Sequence, residues 1–149
     1  MELNVITKAF NQLTPAELYG IMRLRNEVFV VEQNCVFQDA DNKDQSCHHL
    51  MLYQSSELVA YARLVPPGLA FPEMSIGRII TSPAVRRTGI GKKLMQHAIT
   101  QTYALFGPGP IRIGAQLYAT AFYELFNFVP AGPIYDEDGI DHIEMVKPA

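Results

Sequence analysis

The sequence predicts a mixed α/β fold in a single domain over residues 1–149, with a twisted sheet of about seven strands covered by about four helices. Three observations lead there. Apolar residues make up 48% of 149 positions, enough to bury a core without disulfide or metal staples. Segments of strand and helix periodicity follow one another as β-α-loop-β-β-β-α-β-α-β-β. One strand–helix–strand unit sits in an otherwise hairpin-rich chain, which implies a mixed sheet with helices packed on it.

Residues 3–9 read as the first strand. Thr14-Pro15-Ala16-Glu17 starts a helix, with Thr14 as N-cap, Pro15 in the first turn and Glu17 closing a capping box. Leu18, Ile21, Met22, Arg25, Val28 and Phe29 keep the helical period to an end near Glu32-Gln33. Residues 34–47 are polar and irregular, a loop with at most one helical turn. His49–Tyr53 and Leu58–Val65 are strands joined by a turn at Gln54–Glu57. Pro66-Pro67-Gly68 breaks the chain, and Met74–Thr81 is a strand stopped by Pro83. A long helix runs from Gly89 to about Phe106, with Ile90, Leu94, Ala98, Ile99, Thr102 and Leu105 on its inner side. Gly107-Pro108-Gly109-Pro110 ends it. Ile111–Gln116 is a strand, Thr120–Phe126 a short helix, and Phe128–Tyr135 and Ile140–Val146 a final hairpin turning at Asp138-Gly139.

Composition excludes several classes of function. A formal charge of −3 and a pI of about 5.8 argue against a nucleic-acid-binding face. Cys35 and Cys47 make no disulfide framework, and MELNVITKAF has no signal-peptide pattern. No run reaches the ~18 apolar residues of a membrane span. The expectation is a cytoplasmic protein without a membrane or nucleic-acid partner.

The chemistry concentrates in residues 79–93. A strand (Ile79, Ile80, Thr81) passes through a tight turn into a helix start at Gly89-Ile90-Gly91. The glycines let backbone N–H groups approach a ligand, and the helix N-terminus favours an anion. Arg86, Arg87, Lys92 and Lys93 place four of the chain's 12 Lys and Arg residues there. Cations at a helix start oppose its dipole, at ~0.3–1 kcal/mol each, which a phosphate ligand would offset. The alternative is a solvated basic turn. The spacing fits neither the P-loop nor the dinucleotide fingerprint.

Arg86-Arg87-Thr88-Gly89-Ile90-Gly91 resembles the [QR]-x-x-G-x-[GA] loop of the GNAT superfamily of N-acetyltransferases. Ile79-Ile80-Thr81-Ser82-Pro83 resembles that family's cofactor-facing strand, and Ala121–Phe128 its aromatic helix. Residues 28–35, 58–63 and 136–143 are similar to the ElaA-type branch.

The resemblance implies the GNAT acyl-CoA N-acyltransferase fold, whose sheet splays in its middle between helices on both faces. It implies acetyl-CoA as cosubstrate, with the pyrophosphate on the amides of Arg87, Thr88, Gly89, Ile90, Gly91 and Lys92 and with Arg86 opening the motif. Ile79, Ile80 and Thr81 would pair with the pantetheine arm, a donor at Ile80 or Thr81 would polarise the thioester, and Gln116 would touch the pantetheine. Tyr123 matches the family's general acid, although it is also spaced to pack a core with Phe122, Phe126 and Phe128. Candidate bases are Glu73, His142 and Glu32. Asn127 replaces the usual glycine and suits a left-handed helix end. The reaction implied is direct attack of a primary amine on acetyl-CoA, the amine belonging to a small molecule, a peptide or a protein. Such domains often pair as homodimers.

Two rival readings are a non-catalytic acyl-CoA-binding module on the same fold and an acyl-homoserine-lactone-synthase-like enzyme. Arg25 and Val28-Phe29 are faintly similar to the latter's first helix. Asp39–Asp44 fails the calcium-loop pattern at Lys43, Asp44 and Leu50, and Cys35, Cys47, His48 and His49 lack zinc-site spacing, so no metal is expected. His97 is expected at the helix surface. Asp39, Asp41, Asp44, Asp136, Glu137, Asp138 and Asp141 would either attract a cationic amine or lie solvated in loops.

Overall fold

A computed structural model describes residues 2–149. Four strands, β1 (Leu3–Ala9), β2 (His48–Gln54), β3 (Glu57–Val65) and β4 (Ser75–Thr81), pair antiparallel in sequence order. A second antiparallel sheet holds β5 (Ile111–Gln116), β7 (Ile140–Lys147) and β6 (Val129–Glu137), in that spatial order. The two meet at one parallel bridge, Met74 to Ile111, where Arg112 N donates to Met74 O at 3.0 Å. Beyond that bridge β4 and β5 part, so the expected mixed sheet is two antiparallel sheets hinged at a parallel seam. Seven strands are as expected. Three α-helices stand among the described residues instead of about four: α1 (Pro15–Arg25), α2 (Ile90–Phe106) and α3 (Thr120–Glu124).

Local chemistry sets these elements. Thr14 Oγ1 accepts from Glu17 N at 3.1 Å while Glu17 Oε1 accepts from Thr14 N at 2.8 Å, the capping box that starts α1. Tight turns at Ser55-Ser56 (φ 52° and 70°) and Asp138-Gly139 (φ 54° and 81°) close the two hairpins. Asn127 takes φ 69° where the chain leaves α3. Past Arg25 the helix widens into a π-helical segment, Asn26–Glu32, with Gln33 N bonded to Val28 O.

α2 lies on one face of the first sheet, where Ile90, Leu94, Met95 and Ala98 meet Leu50, Leu52, Ala60, Ala62 and Leu64. α1 and the π-helical segment cover the other face, where Ile21 and Leu24 of the first and Val28 of the second meet Met51, Tyr61 and Ile80. With both faces covered, Val59 to Val65 of β3 is buried without a break. Leu105, expected on the inner side of α2, is 37% exposed, and Met95 takes an inner position instead. No helix is long and apolar enough to cross a membrane.

Candidate active site

The parting of β4 from β5 opens a cavity of about 570 Å³, within the size range of small-molecule sites. Ile76–Thr81 form one wall and Ile113, Gly114 and Gln116 the other. The π-helical segment brings Val28, Phe29, Glu32 and Gln33 over it. Tyr118 and Tyr123 reach in from the α3 side, and Glu137, Asp138, Ile140 and His142 from the last hairpin.

At one end of β4 the chain turns through Pro83–Val85 into α2. Arg87 is left-handed at φ 65° and Gly89 at φ 87°. The Thr88 hydroxyl donates to the Val85 carbonyl and pins the loop. No side chain caps α2, because its N-cap is Gly89. The first amides of the helix therefore lack intrahelical acceptors and point at whatever sits before them. Arg87, Lys92 and Lys93 are exposed and have no carboxylate partner among the described residues. Gly91 lies under Phe122 and Thr81, whose atoms come to 3.8 and 3.9 Å of a Cβ built there. Arg86 instead reaches across to Glu32, with Nη1 2.5 Å and Nη2 2.7 Å from its oxygens.

β4 carries one extra residue against β3: Tyr61 opposes Ile80, but two residues on Arg63 opposes Gly77. Arg78, at φ 51°, sits in this bulge and turns the following backbone toward the split. On the split side β4 has no partner strand beyond the Met74 bridge, so backbone groups of Ile79, Ile80 and Thr81 face the cavity. Tyr123 lines the same space, held edge-on by Phe122 (5.4 Å) and Phe128 (6.1 Å). Burial pushes its hydroxyl well above the usual tyrosine range, and it bonds to no protein group among the described residues. Gln116 lines the cavity in a reciprocal amide pair with Gln33, at 3.1 and 3.2 Å, which latches the π-helical segment to β5.

The candidate bases separate in space. Glu73 does not line the cavity. It lies beside the seam, where both its oxygens accept from Arg112 Nε at 3.1 Å. Glu32 does line it, but the Arg86 hydrogen bonds hold its carboxyl below the usual range. His142 lines it with Nδ1 2.8 Å from the Ile140 carbonyl and Nε2 3.4 Å from a Glu137 oxygen.

Asp39, Asp41 and Asp44 are neither solvated nor open to a ligand, contrary to both expectations, because three arginines consume them. Arg25 bonds Asp39 (2.7 Å) and Asp44 (2.8 Å), Arg63 bonds Asp41 (2.8 Å) and Asp44 (2.9 Å), and Arg78 lies 2.7 Å from Asp39. His49 Nε2 donates to Asp44 O at 2.9 Å and Nδ1 accepts from the Tyr61 hydroxyl at 2.6 Å. The cluster straps the 34–47 loop to the sheet and sets Cys35 and Phe37 against the cavity. Sequence reading missed it; the one available signal was Arg25 on an apolar helix face. Cys47 is buried, which pushes its thiol up to about 11. Cys35 donates to Asp138 O at 3.2 Å. No group of metal-ligating side chains occurs among the described residues.

Residues 11–149 match the family of the acetyltransferase (GNAT) domain. The UPF0039 protein sll0451 of Synechocystis is 40% identical over 98% of this chain and 96% of its own. A solved acyl-CoA N-acyltransferase from Pseudomonas aeruginosa superposes with a TM-score of 0.93 at 38% identity, covering 98% of this chain and 99% of that one. Escherichia coli ElaA is 37% identical over 92% of this chain and 91% of its own, and its crystal structure superposes with a TM-score of 0.88.

Proposed function

The chain belongs to the GNAT acetyltransferase family, in its ElaA-type branch, and on that premise we propose that it transfers an acetyl group from acetyl-CoA to a primary amine by direct attack in a ternary complex. The observation that carries this reading is the uncapped start of α2, with its free amides and the unpaired Arg87, Lys92 and Lys93, which follows in the chain from β4, the strand whose open edge walls the cavity; Arg86 of the same loop lines that cavity. A pyrophosphate satisfies both the amides and the cations. The pantetheine amides then pair with the open edge of β4 at Ile79–Thr81, which delivers the thioester to the bulge. Backbone N–H groups there polarise its carbonyl as charge develops.

Proton traffic follows from the side chains. Tyr123 keeps its proton at neutral pH because burial disfavours the phenolate. It gives that proton to the departing CoA sulfur and recovers it from the nitrogen of the tetrahedral intermediate. Neither cysteine suits a covalent acyl-enzyme route. The Cys47 thiol is raised and enclosed, and the Cys35 thiol donates to a backbone carbonyl.

Calorimetric titration with acetyl-CoA, with CoA and ATP as comparators, tests the cofactor. Saturable binding of acetyl-CoA and CoA but not ATP is expected, and no binding at ~1 mM, a −4 kcal/mol interaction, would remove the proposal. Turnover is then screened with putrescine, a lysine peptide and an aminoglycoside. Tyr123→Phe should lower kcat ~10²–10⁴-fold with acetyl-CoA affinity retained; an unchanged kcat would take Tyr123 out of the mechanism.

A further inference from the structure

We propose that His142 is the general base of the transfer, with Nε2 presented to the acceptor amine by Ile140, Tyr135 and Glu137. The inference rests on the acetyltransferase reading, since it names the group that receives the amine's proton. Of the three candidate side chains, Glu73 lies outside the cavity and Glu32 is held by two Arg86 hydrogen bonds. His142 lines the cavity with 8% of its side chain accessible.

Its tautomer is fixed by its neighbours. Carbonyl and carboxylate oxygens both only accept, and the 2.8 Å hydrogen bond from Nδ1 to the Ile140 carbonyl is much shorter than the 3.4 Å contact of Nε2 with Glu137, so a single ring hydrogen sits on Nδ1. The neutral ring then carries its lone pair on Nε2. Tyr135 packs on the ring with centroids 5.7 Å apart at 31°, which sets the ring plane. This needs room on the neighbouring strand. The Tyr135 hydroxyl lies over Gly114, where a built Cβ would stand 2.9 Å from it. Gly114 thus lets a β6 tyrosine cross β7 and clamp the imidazole. Glu137, 57% exposed, holds its carboxylate 3.4 Å from Nε2. There it draws in an ammonium group.

The protons balance. Nε2 takes one proton from the acceptor ammonium, and the freed amine attacks the thioester carbonyl. The C–S bond breaks as Tyr123 protonates the sulfur, and the positively charged nitrogen of the intermediate returns a proton to Tyr123. One proton remains on His142 and leaves to solvent with product.

His142→Asn tests the assignment, because asparagine keeps a donor for the Ile140 carbonyl and removes the basic nitrogen. With whichever of the three acceptors the wild-type protein acetylates, kcat should fall ~10²-fold or more while acetyl-CoA affinity holds. Added imidazole should restore part of the rate. Independently of any variant's folding, ¹⁵N-detected NMR of the wild-type imidazoles should show His142 protonated at Nδ1 when neutral. An Nε2-protonated tautomer, or H142N turning over at the wild-type rate, would overturn the assignment and leave the acetyltransferase reading standing. Wild-type protein that binds no acetyl-CoA and acetylates no acceptor would remove both.

Discussion

Asp44→Asn measures how firmly the cavity's outer wall is held. One oxygen, Asp44 Oδ1, lies 2.8 Å from Arg25 Nη1 and 2.9 Å from Arg63 Nη1, and the three side chains are 6%, 0% and 5% exposed. Burial alone would raise the Asp44 pKa, yet the two guanidiniums hold it below the usual carboxylate range. Removing one partner of a buried ion pair costs ~3–5 kcal/mol, chiefly through the charge left behind. Here each arginine keeps a second carboxylate, Asp39 for Arg25 and Asp41 for Arg63, so the loss should sit near the lower figure. At ~2–4 °C per kcal/mol for a chain of this size, Tm should fall ~6–12 °C. Glu27→Gln is the control. Its pair with Arg23 spans one helical turn at 3.2 Å with side chains 43% and 57% exposed, and such pairs contribute ~0.3–0.5 kcal/mol. Urea unfolding of both variants at pH 7 gives the comparison. If D44N loses no more than E27Q, the claim that this cluster anchors the 34–47 loop is refuted.

Acid should act on the same cluster. Burial lowers the His49 pKa, so below pH ~6.5 the unfolded chain takes a proton that the folded chain refuses, and stability falls with pH. Asp41 and Asp44 are depressed despite burial, through Arg63 and Arg25, and add a second loss as pH drops through ~4. Urea midpoints should decline from pH 7 to 5 and steepen below 4, and H49Q should flatten the upper limb; an equal slope in H49Q would exclude His49 as its source. Gly114→Ala should drive Tyr135 off His142, because the new Cβ would meet its hydroxyl at 2.9 Å. Turnover should drop ~10-fold or more as the base loses its orientation, and G114A with the wild-type rate would show that Tyr135 is dispensable. Gly89→Glu finds nothing within 4 Å at its Cβ, so its cost to folding should be only the ~1–2 kcal/mol of a left-handed residue. CoA binding should nevertheless vanish, and a folded G89E that binds CoA as wild type does would displace the pyrophosphate from this loop.

What the sequence made legible is what a few neighbouring residues decide. The Thr14–Glu17 box, the two hairpin turns, the left-handed Asn127 and the Gly89 helix start each depend on residues within a turn of one another, and each appears where the pattern put it. What was not legible depends on chain separation. Arg25 finds its aspartates 14 and 19 positions on, and Gln33 meets Gln116 across 83. No local preference encodes those pairings. The bulge at Arg78 escaped because a left-handed arginine leaves no glycine as a marker. Glu73 misled through proximity in sequence alone: it precedes β4, and the seven residues of that strand carry the chain ~20 Å before the α2 loop begins.

The distribution of cations ties the scaffold to the proposed chemistry. Six of the seven arginines, at positions 23, 25, 63, 78, 86 and 112, have carboxylate partners. The seventh, Arg87, stands at the start of α2 with Lys92 and Lys93, the end of a helix where its own dipole opposes positive charge. A chain of net charge −3 has carboxylates to spare, so these three are not unpaired for lack of anions. Pairing them internally would fill the space before the helix with a carboxylate, and a CoA pyrophosphate would then have to displace it. The cavity lining itself carries Glu137 and Asp138 from the last hairpin. The unpaired positive charge thus gathers at the start of α2, while the last hairpin brings negative charge to the cavity wall. In the proposed reaction an anionic cosubstrate and a cationic amine would each meet charge of the opposite sign at a different part of the site, and this suits a ternary complex better than a shuttle through a covalent acyl-enzyme.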